Sequence, residues 1–158
     1  MNILVLSTGN SARSILLEAL LNRLGKGRVA AWSAGSQPAG KVHPQSLKLL
    51  GAKGYDISGL RSKSWDEFAE PDAPPMDAVI TVCASAAGET CPIWPGVPVR
   101  AHWGVDDPAA LPEADWERGF AAAYDTLGAR ARAFLGRPVE DMDTAALKAH
   151  LDACGDVA

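Results

Sequence analysis

No apolar stretch in this 158-residue chain approaches the ~20 residues of a membrane span, and no charged leader precedes the first apolar run. Neither a transmembrane helix nor a signal peptide is expected. Basic residues are outnumbered, with 15 Lys and Arg against 19 Asp and Glu, and the net charge of −4 argues against a nucleic-acid backbone as the main partner. Cysteine is scarce and odd in number: Cys83, Cys91 and Cys154 do not make a disulfide framework, which leaves redox chemistry or burial. The three histidines, His43, His102 and His150, show no metal-ligand spacing with the cysteines, so no metal is expected. Repeats and low-complexity segments are absent. With 47% hydrophobic residues, the chain is expected to be one cytoplasmic domain with an adequate core.

What is present is concentrated near the N-terminus, which reads Ile3-Leu4-Val5-Leu6-Ser7-Thr8-Gly9-Asn10-Ser11-Ala12-Arg13-Ser14. Residues 3–6 form an uninterrupted β-favouring run, the pattern of a strand buried on both faces of a parallel sheet. The small residues that follow let successive backbone N–H groups turn toward one point, and Ser14 is placed to open the next helix. An oxyanion there would meet the N–H groups of residues 8–14, a helix N-terminus and the fork of Arg13. Thr8, Gly9, Asn10, Ser11, Ala12, Arg13 and Ser14 are therefore the candidate oxyanion site. Gly9 and Asn10 could instead form a plain strand-to-helix turn, but strand, polar loop, arginine and helix arrive together. The loop lacks the Gly-Lys-Ser/Thr ending of nucleotide-binding phosphate loops and the dinucleotide fingerprint.

Further along, helical spacing of apolar residues covers 15–24 and ends at Gly25, and a strand fits 29–33. A loop follows over 36–40, then a short helix over 43–50 with Gly51 as its stop. Strands fit 77–82 and 97–101, with a long helix over 115–135 and a short one over 144–154. The sum is an α/β fold, a four-stranded, mostly parallel sheet with helices on both faces. Residues 1–136 make the domain and 137–158 a helical extension of it. Ligands of such sheets sit at the carboxyl ends of strands, which places Cys83 and Asp106-Asp107 near the loop after residue 6.

A cysteine at position 7 would lie among N–H donors, a helix N-terminus and Arg13, surroundings that favour a thiolate nucleophile. Asp107 before Pro108 could protonate a departing oxygen, with Asp106 the neighbouring candidate, although Asp-Asp-Pro is also a common turn device. Reducing an oxyanion needs two electrons, and the Cys83–Cys91 pair could supply them, unless both are small core residues. Eight residues of continuous helix would hold their Cα atoms about 12 Å apart. Disulfide geometry needs less than about 7 Å, so this segment is expected to unwind or bend on oxidation.

These residues resemble the thioredoxin-coupled arsenate reductases, which share the low-molecular-weight protein tyrosine phosphatase fold. That family's cradle reads Cys-Thr-Gly-Asn-Ser-x-Arg-Ser, and residues 7–14 match at every fixed position but the first. Trp32-Ser33-Ala34-Gly35-Ser36, Cys83 to Cys91 with Pro92, and His102-Trp103-Gly104-Val105-Asp106-Asp107-Pro108 match as well, over roughly residues 3–135. The resemblance implies a relay. The residue at position 7 forms an adduct with arsenate, Cys83 attacks it and arsenite leaves, and Cys91 closes a disulfide with Cys83. Thioredoxin, or glutathione with glutaredoxin, resets the pair, and no bound cofactor is implied. Arg13 holds the oxyanion, for which phosphate and sulfate are analogues, Ser14 tunes the nucleophile and Asp107 is the acid. Some members bind potassium through residues matching Asn10, Glu18, Ser33 and a later Thr-Ser-Asp. Here that segment is Arg61-Ser62-Lys63, so the Lys63 ammonium is expected against Glu18 in place of the ion, unless it is an ordinary surface lysine.

Ser7 is the other departure. Serine forms no accessible anion at neutral pH and supplies no electron pair as sulfur does, so the chain is expected to bind the oxyanion without reducing it. The intact relay around Ser7 points to a Cys-to-Ser variant rather than a natural pseudoenzyme. Phosphotyrosine recognition is disfavoured because Pro108 is followed by Ala109-Ala110-Leu111, not tyrosines. A phosphatase for other monoesters and a non-catalytic oxyanion-binding protein are the alternatives.

Overall fold

The computed structural model describes residues 1–83, 96 and 98–158. Four parallel strands, β1 (Asn2–Ser7), β2 (Ala30–Gly35), β3 (Ala78–Thr81) and β4 (Val99–His102), form one sheet in the order β2-β1-β3-β4. The sheet is fully parallel among these strands. The chain leaves β1 first to one side and then, through β3, to the other, so the topological switch point lies between β1 and β3. The loop after β1 and residues 82–83 after β3 flank the crevice where such sheets bind ligands.

Alternation along the strands divides the core. Ile3, Val5, Ala78, Ile80 and Ala101 face a cluster built from α1 (Arg13–Leu24), α2 (Pro44–Ala52), α3 (Trp116–Leu135) and α4 (Thr144–Cys154). Leu4, Leu6, Ala34 and Val79 face the opposite cluster, closed by Trp65 and Phe68 of the 3₁₀ turn Trp65–Phe68. Helical segments thus cover both faces, with the long ones on one side. Ser14 and Glu18 are buried on α1 among leucines, and such polar exceptions inside a packed stripe point to a site.

Several boundaries differ from the sequence reading, each for a physical reason. Strand β2 runs on to Gly35 because its pairing with β1 continues to Ser7 and Gly35 N–H donates to Lys63 C=O (2.9 Å). Asp77 lies outside β3, its carboxylate accepting from Asn2 N–H (2.7 Å). Helix α2 passes through Gly51, and the residue with the left-handed turn is Gly54, at φ +84°. The expected strand start at residue 97 and the Cys83–Cys91 bend lie outside the described residues.

Residues 137–158 share the main core through Val139, Leu147, Leu151 and Cys154. At their beginning, Arg28 donates to Leu135 C=O (2.7 Å) and Arg137 C=O (2.8 Å) and pairs with both Glu140 oxygens (2.9 Å each). That pairing holds the Glu140 carboxyl down at about 2.

Candidate active site

The loop between β1 and α1 is held from outside by its carbonyl groups. Thr8 C=O accepts from Gln37 N–H (2.9 Å), and Gly9 C=O from Ala39 N–H (2.9 Å) and Ser62 Oγ (3.1 Å). Ser11 C=O accepts from His43 N–H (3.0 Å) and Ser46 Oγ (2.9 Å). With these carbonyls drawn outward, the peptide planes turn their N–H groups to the inside, and the first turn of α1 adds N–H groups without intrahelical acceptors. Asn10 makes the turn at φ +48°, a conformation that asparagine tolerates better than most residues. Gly35 allows the close approach: a Cβ there would fall well inside van der Waals contact with Thr8 C=O. The result is a cradle of inward donors at the positive end of a helix, suited to a tetrahedral oxyanion.

A buried polar network converges on position 7. Lys63 N–H donates to Asn10 Oδ1 (3.0 Å), which fixes the amide so that Nδ2 donates to Ser33 Oγ and Ser14 Oγ (2.9 Å each). Ser33 Oγ in turn donates to Glu18 Oε1 (2.9 Å). Ser14 Oγ lies 2.7 Å from Ser7 Oγ, which also accepts from Asn10 N–H at 3.0 Å. Ser14 is not the residue that opens α1: the helix starts at Arg13 after Ala12, and the hydroxyl is committed to position 7. Two donors aimed at one atom suit an anion, such as a thiolate. A serine hydroxyl brings a hydrogen that a thiolate lacks, and with Asn10 and Ser14 on one side, that hydrogen can point into the cradle. The chain is therefore expected to bind sulfate about tenfold more tightly at pH 7.5 than its Ser7→Cys form, by titration calorimetry, because a like charge at the floor is removed. Equal or weaker binding would contradict this use of the hydroxyl.

The remaining candidates gather at the rim. Arg13 Nη1 donates to Val105 C=O (2.9 Å), and Nη2 lies 3.6 Å from Asp107 Oδ2. Asp107 makes the turn contact that the sequence allowed and also faces the cradle. Its Oδ1 accepts from Ala109 N–H (3.0 Å) and caps the 3₁₀ turn Pro108–Ala110, while Oδ2 faces the cradle arginine. Asp106 is exposed and lines a cavity beyond the loop. Cys83 is buried, with Sγ 3.5 Å from Thr8 Oγ1. Cys91 lies outside the described residues. Cys154 is buried at the end of α4, where desolvation pushes its thiol up. His43 Nδ1 accepts from Gln45 N–H (3.0 Å), burial pushes its ring down with some opposition from Asp107, and its backbone N–H braces the cradle through the Ser11 carbonyl. His43, Ser46 and Ser62 were not among the sequence candidates. Their contacts are to backbone carbonyls, which leave no residue pattern.

Lys63 is buried, with Nζ 3.7 Å from Glu18 Oε1 and 3.0 Å from Arg61 C=O. Burial raises the Glu18 carboxyl and lowers the Lys63 ammonium, each partly offset by the other's charge. Glu18, an acid raised above its unfolded value, favours the fold most at low pH and loses that contribution as pH rises. Lys63, lowered, favours it most above its unfolded value and loses that contribution as pH falls. The charges support one another, with Ser33 also favouring the Glu18 carboxylate. Lys63→Met is accordingly expected to cost about 3 kcal/mol in urea unfolding at pH 7.5, and Lys63→Met with Glu18→Gln markedly less. The single-variant deficit should shrink as pH falls toward about 4.5 and Glu18 protonates. A deficit independent of pH would show that the charge pair is not its cause.

Among the described residues, no cluster of His, Cys, Asp and Glu could hold a metal ion, and no helix is long and apolar enough to cross a membrane. Residues 2–150 match the family model described as low molecular weight phosphotyrosine protein phosphatase. The arsenate reductase of Halalkalibacterium halodurans is 35% identical over 131 residues, 82% of this chain and 91% of the relative. That of Bacillus subtilis is 34% identical over the same shares. Among solved structures, an arsenate reductase in the oxidized state superposes with a TM-score of 0.67 at 26% identity, covering 83% of this chain and 93% of the other. The thioredoxin-dependent arsenate reductase of Corynebacterium glutamicum shares the fold, with a TM-score of 0.62 at 24% identity over 85% of this chain and 60% of that one. With its cradle, its parallel sheet and these relatives, the chain belongs to the low molecular weight phosphotyrosine protein phosphatase family, with arsenate reductases among its curated relatives.

Proposed function

We propose that the chain is an arsenate reductase whose nucleophile position carries Ser7, so that as it stands it holds the oxyanion without reducing it. The observation that carries this reading is the buried thiol of Cys83 at the lip of the cradle, 3.5 Å from Thr8 Oγ1. A phosphatase needs one nucleophile, an acid and water, and has no use for a second thiol there. In the proposed cycle a thiolate at position 7 attacks arsenic, and one arsenate oxygen leaves as water with a proton from Asp107. Cys83 then attacks the sulfur at position 7. A sulfur–sulfur bond forms, the sulfur–arsenic pair passes to arsenic, and arsenite departs two electrons richer. Cys91 attacks Cys83 and frees position 7, leaving a Cys83–Cys91 disulfide. Reduced thioredoxin, or glutathione with glutaredoxin, takes that disulfide back to two thiols by exchange.

The Lys63 ammonium is assigned the place of a monovalent cation beside Glu18. The backbone N–H of the same residue fixes Asn10 Oδ1 (3.0 Å), so one residue serves both contacts. The reading as a whole is tested with the Ser7→Cys protein, arsenate and reduced thioredoxin, following thioredoxin oxidation. Turnover that stops when either Cys83 or Cys91 is replaced by serine supports the relay. Aryl phosphate hydrolysis that survives both replacements, with no arsenate-dependent oxidation in either thiol system, would make the protein a phosphatase. Tight sulfate binding with neither activity would make it a binding protein.

A further inference from the structure

Behind the loop that carries Asp107 lies a cavity of about 650 Å³, lined among others by His102, Asp106, Thr126 and Arg130 and by no residue of the cradle. The loop is a partition between the cradle and this cavity, with Val105 packed on the main core and Pro108 buried, and hydrogen bonds fix the carbonyls between them. Arg13 takes Val105 C=O from the cradle side (2.9 Å), and Arg130 Nη1 takes the preceding carbonyl, Gly104 C=O, from α3 (3.1 Å). Arg130 Nε simultaneously donates to Val157 C=O (2.9 Å), three residues beyond α4. Trp103 Nε1 donates to Leu151 C=O (2.9 Å), so the same loop is pinned to α4 at a second point. Arg130 is 9% exposed, and no acidic side chain lies within salt-bridge distance of it among the described residues. Its charge is directed at two carbonyls rather than at a carboxylate, an unusual use of a buried guanidinium.

We propose that Arg130 is a positioning residue: by gripping Gly104 and Val157 together it ties the C-terminal segment to the loop that aims Asp107 at the cradle. Two arginines on consecutive carbonyls set the loop's height, one belonging to the oxyanion site and one, on α3, that also grips Val157. Asp107 follows two residues after the second carbonyl, so a shift there carries directly to its carboxyl. The inference rests on the reading of Asp107 as the acid only for its catalytic consequence, and the placement of the loop is measured without it.

The test uses Arg130→Gln and Arg130→Lys in the full chain as it stands. Hydrogen exchange at Val105 N–H, which donates to Val82 C=O, and at Ala109 N–H, which donates to Asp107 Oδ1, is expected to quicken at least about tenfold in Arg130→Gln. Amides of residues 3–6 should stay within about twofold, and Arg130→Lys should lie between. Unchanged loop exchange, or loop and strand rising together, overturns the tether. In the Ser7→Cys background, kcat for arsenate should fall at least about fivefold in Arg130→Gln with KM within about twofold, and recover in part in Arg130→Lys. An unchanged kcat overturns the positioning role even if the loop loosens. Should Arg130→Gln not fold, the same comparisons are made on Arg130→Lys, where an unchanged loop and kcat overturn the proposal. If Ser7→Cys itself shows no arsenate turnover, the reductase reading fails, and the exchange result alone decides the tether.

Discussion

Replacing Ser7 by cysteine is expected to raise arsenate-dependent thioredoxin oxidation from background by at least about 10³-fold, a barrier change of about 4 kcal/mol or more. The argument is one of electrons rather than of fit. Breaking the bond between position 7 and arsenic must leave two electrons on arsenic, and only a sulfur that goes on to form a disulfide can release them. The site is already prepared for that sulfur. Asn10 N–H at 3.0 Å and Ser14 Oγ at 2.7 Å converge on Ser7 Oγ, and both would stabilise a thiolate over a thiol. Larger sulfur in place of oxygen needs only small adjustment, because the loop's outer carbonyl bonds fix the frame and not the atom at its centre. The measurement is steady-state thioredoxin oxidation with and without arsenate. Equal rates in the Ser7 and Ser7→Cys proteins would remove the reason for reading Ser7 as the missing station of the relay.

Arg13→Met in the unmodified chain is expected to weaken sulfate or arsenate binding by about 100-fold or more, read by calorimetry at fixed ionic strength. Arg13 is the cationic side chain that begins α1 at the cradle, and its fork offers two parallel donors to a tetrahedral anion. Charge-assisted bonds of this kind contribute about 1.5–3 kcal/mol each, and the loss of two accounts for the factor. Part of the effect passes through the loop, since the same side chain also holds Val105 C=O. Arg13→Lys, which keeps the charge but not the fork, should recover only a fraction. Recovery to the full affinity would mean that charge alone, without the guanidinium geometry, holds the anion.

The cradle was legible because its chemistry depends on residue type: small residues where N–H groups must converge, an arginine where an anion must be held, an apolar run where a strand must be buried. The ends of α4 were legible for the same reason, with Asp143 accepting from Ala146 N–H (2.8 Å) as a side-chain cap. Ser14 was misplaced as a helix opener because a serine at a helix start carries the same local signature whether its hydroxyl turns to the backbone or to position 7. Arg28, Arg130 and Asn22 were invisible. Each donates to a carbonyl elsewhere in the chain, and every residue offers a carbonyl, so no pattern marks the partner. Lys63 was legible only through comparison with a motif. Nothing local distinguishes a lysine that folds inward onto Glu18 from one that points to water.

The outward-facing backbone of β2 is consumed from within. Asn22 side-chain atoms take both Ala31 N–H (2.8 Å) and Ala31 C=O (2.9 Å), Glu18 accepts from Ser33 N–H, and Gly35 N–H goes to Lys63 C=O. At the opposite edge Lys148 Nζ covers Arg100 C=O (2.7 Å), and Gly155 packs against His102 C=O. Among the described residues, each border of the sheet is therefore obstructed against strand addition, the usual route by which a flat β edge recruits a foreign chain. A protein that docks at the rim where the strands finish therefore gets no main-chain ladder from either border of the sheet.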